Sequence, residues 1–237
     1  QFTLRSVDFP KMSGSYRLQA EVQAVPSEKD RLWLQAEQLM REVPWINDRQ
    51  LAIEKNQQLI ALWQKLGEPI WEGTAYESMA FLLAYKDEFM QAEAQIEKAL
   101  VIARTLNHRV YEADLVNSLG MLNNRPPRID TCIEWHKKAL PLARETKNIR
   151  LEAAILAALG DAHMNFRKSE FAKAAEFYAQ LYQVRLAMGD PDGAVKYFQQ
   201  QGLVALYLKK YDEAQKHFDE ALTKAREQNN RVMELQI

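Results

Sequence analysis

Cys132 and His136 stand four residues apart, a separation that puts two side chains on one face of a helix. His163 falls on the next helix pair, against which that face should pack. One cysteine and two histidines suit zinc, so a metal centre is one reading of the three. The other reading is structural. Cys132 fills a slot for a small side chain, and the two histidines fill slots for rings. We expect the second reading, with the polar atoms hydrogen-bonded inside the fold and no metal or cofactor. Gly189-Asp190-Pro191-Asp192-Gly193 has the look of a calcium loop but lacks the alternating carboxylates and the closing glutamate. It reads as a connecting turn, with Asp190 as helix cap and Pro191 at the first helical position. No phosphate-cradling glycine loop, G-x-S-x-G elbow or H-E-x-x-H pair occurs. The expectation is a protein that is not an enzyme.

Composition narrows the class further. The 237 residues are 47% hydrophobic and 27% charged, which fits a folded chain. Acids and bases nearly cancel, 32 against 31, where a dedicated nucleic-acid binder carries a basic excess. No run of 18 apolar residues occurs, so no direct membrane insertion is expected. A lone cysteine leaves no intramolecular disulfide and does not fix the compartment. The chain opens on Gln1, as expected of a fragment or processed form with room for a signal peptide or anchor before it. Compartment therefore stays open: cytoplasmic, or membrane-associated through a segment before residue 1, the thylakoid included. Oligomeric state is open too.

The elements that position these residues are helices. Ala, Leu, Gln, Glu and Lys dominate, Gly and Pro number eight each, and no stretch alternates like a strand. A pattern recurs along the chain. A small residue stands at 52, 92, 132, 174 and 214, with steps of 40, 40, 42 and 40. A second anchor follows at Leu59, Ala99, Ala139, Leu181 and Ala221. Upstream of each, another close-packing position reads Met40, Ala80, Gly120, Gly160 and Gly202. Two helices that cross tightly need a small side chain at the crossing, which accounts for the pattern. The extra two residues fall around Arg167-Lys168-Ser169-Glu170, in an inter-helix turn where insertion costs least. Phe89, Ile129, Phe171 and Tyr211 recur as anchors beside those turns. Gly67-Glu68-Pro69, Asn107, Asn148, Gly189 and Asn229-Asn230 mark the repeat ends, and Ser27 with Asp30 forms a capping signal.

The succession of small residue, alanine, aromatic and alanine across two helices resembles the tetratricopeptide repeat, in its long form of about 40 residues as in kinesin light chain. The resemblance implies an all-α, right-handed superhelical solenoid of antiparallel helix pairs. It places an N-terminal arm at 1–27 and repeats near 28–67, 68–107, 108–147, 148–189 and 190–230. Residues 231–237 would begin a capping or further helix. The first repeat departs from the pattern: Met40 replaces glycine, Asn56 replaces the aromatic, and Pro44-Trp45 shorten the first helix. Gln201 stands where leucine is expected.

In such repeats the first helices line a concave groove. Carried onto this chain, the groove positions are Leu34, Glu37 and Arg41, then Thr74, Glu77, Phe81 and Tyr85. The third repeat adds Asp114, Asn117, Met121 and Asn124. The fourth adds Ala157, Asp161, Met164 and Asn165, and the fifth Lys196, Gln199, Leu203 and Tyr207. The stripe mixes carboxylates and amides with aromatics and methionines, which suits a peptide or helix carrying some basic residues. With only Arg41 and Lys196 basic, the groove is a poor grip for a C-terminal carboxylate. The expected function is a scaffold for a protein or peptide partner. A narrower reading is help in photosystem II assembly or repair, which cyanobacterial repeats of this texture suggest. The alternatives are a regulatory peptide receptor and a self-associating array.

Overall fold

Local caps set where each helix begins. The Ser27 side chain accepts from the Asp30 amide at 3.1 Å, and Asp30 accepts in return from the Ser27 backbone, a capping box. It opens α1 (Glu28–Glu42), which a 3₁₀ turn, Val43–Trp45, ends at Pro44. In α2 (Arg49–Leu66) the Asp48 carboxylate caps the first amides. The remaining helices are α3 (Pro69–Ala84), α4 (Phe89–Thr105), α5 (Arg109–Leu122) and α6 (Ile129–Glu145). They continue as α7 (Ile149–Phe166), α8 (Phe171–Ala187), α9 (Gly193–Tyr207), α10 (Tyr211–Glu227) and α11 (Arg231–Glu234). The structure, a computed structural model, describes residues 25–166 and 170–237, and no strand occurs among them. Most of the N-terminal arm, and the inserted residues at 167–169, lie outside the described residues.

Each helix packs on its sequence neighbours, so the chain builds a stack of helix hairpins. Within a hairpin the contact is close. A Cβ placed on Gly120 would lie 2.6 Å from the His136 ring, one on Gly160 2.4 Å from Tyr178, and one on Gly202 2.7 Å from Phe218. The ring of the second helix therefore rests on bare backbone of the first. The small slots on the second helices are closed as well: Ala52, Ala92, Cys132 and Ala174 are fully buried. The slot holds no ring in the first two hairpins, where Asn56 and Ile96 occupy it. Asn56, wholly buried, instead donates to the Ala75 carbonyl of α3 at 2.8 Å. Gln201, which replaces the expected leucine, donates to the Ala175 carbonyl of α8 at 3.2 Å.

Between hairpins the chain reverses through a left-handed residue: Gly67, Asn107, Lys147, Gly189 and Asn229 all have positive φ. The pattern is periodic, and at the third site the cap and the left-handed residue are separate. Lys147 takes the left-handed position at φ 54°, and Asn148 instead caps α7 by accepting from the Leu151 amide at 3.2 Å. The Asp190-Pro191 expectation also needs correction. The Asp190 carboxylate accepts from the Asp192 amide at 3.0 Å and closes a turn, and α9 begins only at Gly193.

The same junctions carry a second periodic link, from the last turn of one helix to the first turn of the next. Gln64 donates to Glu72 at 2.8 Å, Arg104 to Glu112 at 2.8 Å and Arg144 to Glu152 at 2.7 Å. Gly193 occupies the corresponding acidic position after α8, and Arg185 turns to Asp190 at 3.7 Å. Such links are mostly exposed and individually worth about 0–1 kcal/mol, so they fix the angle between hairpins more than they hold them together. At the far end α11 inserts Met233 against Val195, Ala221 and Ala225.

Lys147 bears a side chain in a conformation that suits glycine. Lys147→Gly is expected to stabilise the protein by about 1 kcal/mol in denaturant unfolding. An unchanged or lower midpoint would show that the junction is not strained there.

Candidate docking groove

α3 and α5, the first helices of successive hairpins, touch directly and share a face. The Ser118 hydroxyl of α5 donates to the Glu77 carboxylate of α3 at 2.5 Å, directly across this face. Asp114, one turn back along α5, adds a second acid nearby. Burial holds Glu77 above the usual carboxylate range; the Ser118 hydrogen bond opposes this and the Asp114 charge adds to it. Burial raises Asp114 as well, with His108 pulling the other way. Among the described residues no lysine or arginine pairs with either acid. Near them the Tyr111 hydroxyl is buried beside Thr74, its ring pressed against Gly73.

Other expected groove residues are engaged differently. Arg41 pairs with Glu37 along α1 at 3.3 Å, and Lys196 with Asp192 at 3.9 Å, so the two basic residues of the stripe are locally matched. Asp161 accepts from the Tyr178 hydroxyl at 2.8 Å. Thr74 donates back to the Ile70 carbonyl, and the Asn117 amide lies 3.5 Å from the Met121 sulfur. Phe81 is half-buried against the core, and Gln199 is half-buried too, whereas Asn124 and Asn165 are exposed. Leu34 is partly exposed on α1, and Ala157 is half-buried on α7. Met164 departs from expectation. It is buried in a cluster with Leu156, Phe171 and Val204, because α7 runs to Phe166 and carries Met164 into the core of its own hairpin.

Large apolar side chains stay open toward the C-terminal ends of the first helices. Tyr85 is 67% exposed, Met121 54%, Leu203 43% and Tyr207 58%. The two tyrosines are braced. The Arg49 guanidinium donates to the Tyr85 carbonyl at 2.9 Å and lies 5.6 Å from the ring centre. Tyr207 stacks on Phe171 at 5.1 Å. Sequence reasoning missed Ser118, Tyr111 and Arg49, whose roles come from contacts between hairpins that no local pattern marks.

The residues first weighed for chemistry are packed side chains. Cys132 is buried, and burial pushes its thiol up to about 11. His136 is likewise buried and held neutral, its pKa depressed to about 4. Contrary to expectation, neither of its ring nitrogens has a hydrogen-bond partner among the described residues. The ring serves as a spacer over Gly120 in the slot that Tyr178 and Phe218 fill elsewhere. His163 stacks on Phe177 and its Nδ1 meets the Glu170 carboxylate at 2.8 Å, while its Nε2 is unpartnered. No three His, Cys, Asp or Glu side chains among the described residues are placed to hold a metal ion. No helix among them is long and apolar enough to cross a membrane.

No family model and no curated protein matches the chain. Solved structures do, and the fold they define is the tetratricopeptide-like solenoid. One is a Podosopora anserina chain of nearly identical TPR-like repeats, of kinesin light chain type. It is 14% identical with a TM-score of 0.64, over 86% of this chain and 99% of that one. BtubC from P. vanneervenii is 17% identical with a TM-score of 0.55, over 86% and 93%. Aspartyl phosphate phosphatase F from Bacillus subtilis is 12% identical with a TM-score of 0.69, over 86% of this chain but 54% of that one. At these identities the likeness establishes the fold alone.

Because Glu77 has a raised pKa, its ionisation works against the fold at neutral pH, and that cost fades as the acid form takes over at lower pH. Glu77→Gln keeps an acceptor for Ser118. It is expected to raise the melting temperature at pH 7, with the gain shrinking as pH falls through the carboxylate range. A variant less stable than wild type at pH 7 would contradict this.

Proposed function

We propose that the chain is an interaction scaffold that docks a protein or peptide partner on the open face of α3, α5, α7 and α9. One observation carries the reading: this face keeps braced aromatics exposed and also holds two half-buried carboxylates that no lysine or arginine among the described residues pairs with, and burial of those acids costs stability. Tyr85 and Tyr207 fit the role of anchors, since an aromatic already held in place loses little freedom on binding. The near-zero net charge favours a protein over a nucleic acid. Nothing in the site favours catalysis.

The fold shared with aspartyl phosphate phosphatase F is compatible with a second reading, a regulatory peptide receptor that uses the same face. Neither the structure nor the comparisons support the narrower role in photosystem II assembly, and we do not carry it further.

The test is capture from an extract of the source cells, with wild-type protein and a Tyr85→Ala/Tyr207→Ala variant of unchanged helical content. Loss of two anchors should reduce retention of the partner by about tenfold or more. A partner held equally by both proteins would place the docking surface elsewhere.

A further inference from the structure

The groove is not uniform, and its two components are set apart along the helices. Glu77 on α3 and Tyr85 at its C-terminal cap are eight residues apart; on α5, Asp114 and Met121 are seven apart. At 1.5 Å per residue these intervals are about 12 and about 10.5 Å. An acidic track and an apolar track thus cross the first helices side by side, separated by about the 10–12 Å width of one α-helix with its side chains. They also differ in extent. The acids occupy α3 and α5, while at the same level α7 presents Ala157 and α9 presents Gln199. The apolar track is broken on α7, where exposed Asp161 stands in register with Met121, and resumes on α9 at Leu203 and Tyr207.

The geometry points to an amphipathic helix as the occupant, lying across the first helices with one apolar flank and a basic flank confined to one end. This rests on the groove reading above and gives it a partner chemistry. The basic end would lie over α3 and α5, where among the described residues neither Glu77 nor Asp114 has a lysine or arginine partner. A cation there replaces the water-poor, like-charged ground state with a paired one. The apolar flank would cover Tyr85, Met121, Leu203 and Tyr207. Neighbouring helices pack about 8–10 Å apart, so the span from α3 to α9 is about 30 Å, the length of a 20-residue helix. The face offers such a helix few competing cations, since Arg41 and Lys196 are each paired on their own helix.

Three labelled 20-residue peptides test this by fluorescence anisotropy. The first is an amphipathic Leu/Lys helix with its lysines toward one end; the second replaces Lys by Glu; the third interrupts the first with two prolines. The first should bind, and the other two at least tenfold more weakly. Glu77→Gln/Asp114→Asn should weaken the first peptide about tenfold and flatten its salt dependence, while the same kind of change on α4, Glu97→Gln, leaves binding unchanged. Tyr207→Ala should also weaken it. If the Tyr207 change matters but neutralising the two acids does not, or the Glu peptide binds as well, the basic-partner inference is overturned and the groove reading stands. Equal binding of the proline peptide overturns the helical occupant. If neither the acids nor Tyr207 matters, the groove reading itself fails.

Discussion

The architecture depends on close crossing of paired helices, which in three of the five hairpins is a ring of the second helix seated on a glycine of the first. At Gly120, Gly160 and Gly202 there is no room for even one more carbon. The backbone gap left by each glycine lets the hairpin close to a fixed distance and angle. Added bulk would have to move a ring packed in the core, at a cost of about 1–3 kcal/mol. Burial alone specifies only that apolar faces meet; this contact specifies how. That is why a histidine with no hydrogen-bond partner is tolerated at 136: the slot selects a flat ring, and the neutral imidazole supplies one.

The rest of the molecule follows from that closure. When hairpins close alike, the left-handed residues between them fall at matching places, and the links from one junction to the next repeat. The first helices are then held in one row with a face uncovered. Glu77 and Asp114 are brought near each other on that row by the stacking of α3 and α5, not by any sequence proximity. Their raised pKa values are thus a product of the whole array, as is the bracing of Tyr85 by Arg49 from the preceding helix hairpin.

Much of this was legible from spacing. Phe89, Ile129, Phe171 and Tyr211, read as anchors beside the turns, are the first residues of α4, α6, α8 and α10. The small slots at 92, 132 and 174 are closed to solvent. What spacing did not show is where two local signals compete. Asn148 marks the repeat end as read and caps α7, but the left-handed position beside it falls to Lys147, which spacing did not show. Pro191 fits a first helical position, but the Asp190 carboxylate closes a turn around it and delays the helix. Met164, read as a groove residue, is instead buried with Leu156, Phe171 and Val204. The groove itself could be listed only as a stripe. Its division into acidic and apolar tracks, and the Ser118 contact across it, depend on neighbouring hairpins.

The most direct measurement is a double-mutant cycle of unfolding free energies on Gly160 and Tyr178. By helix propensity alone, Gly160→Ala would stabilise α7 by about 1 kcal/mol. The account predicts that it instead destabilises the wild type by about 1–3 kcal/mol, and that this penalty disappears when Tyr178→Ala removes the ring. A Gly160→Ala change that stabilises the wild type, or costs the same with and without the ring, would contradict the contact on which the fold and its open face are built.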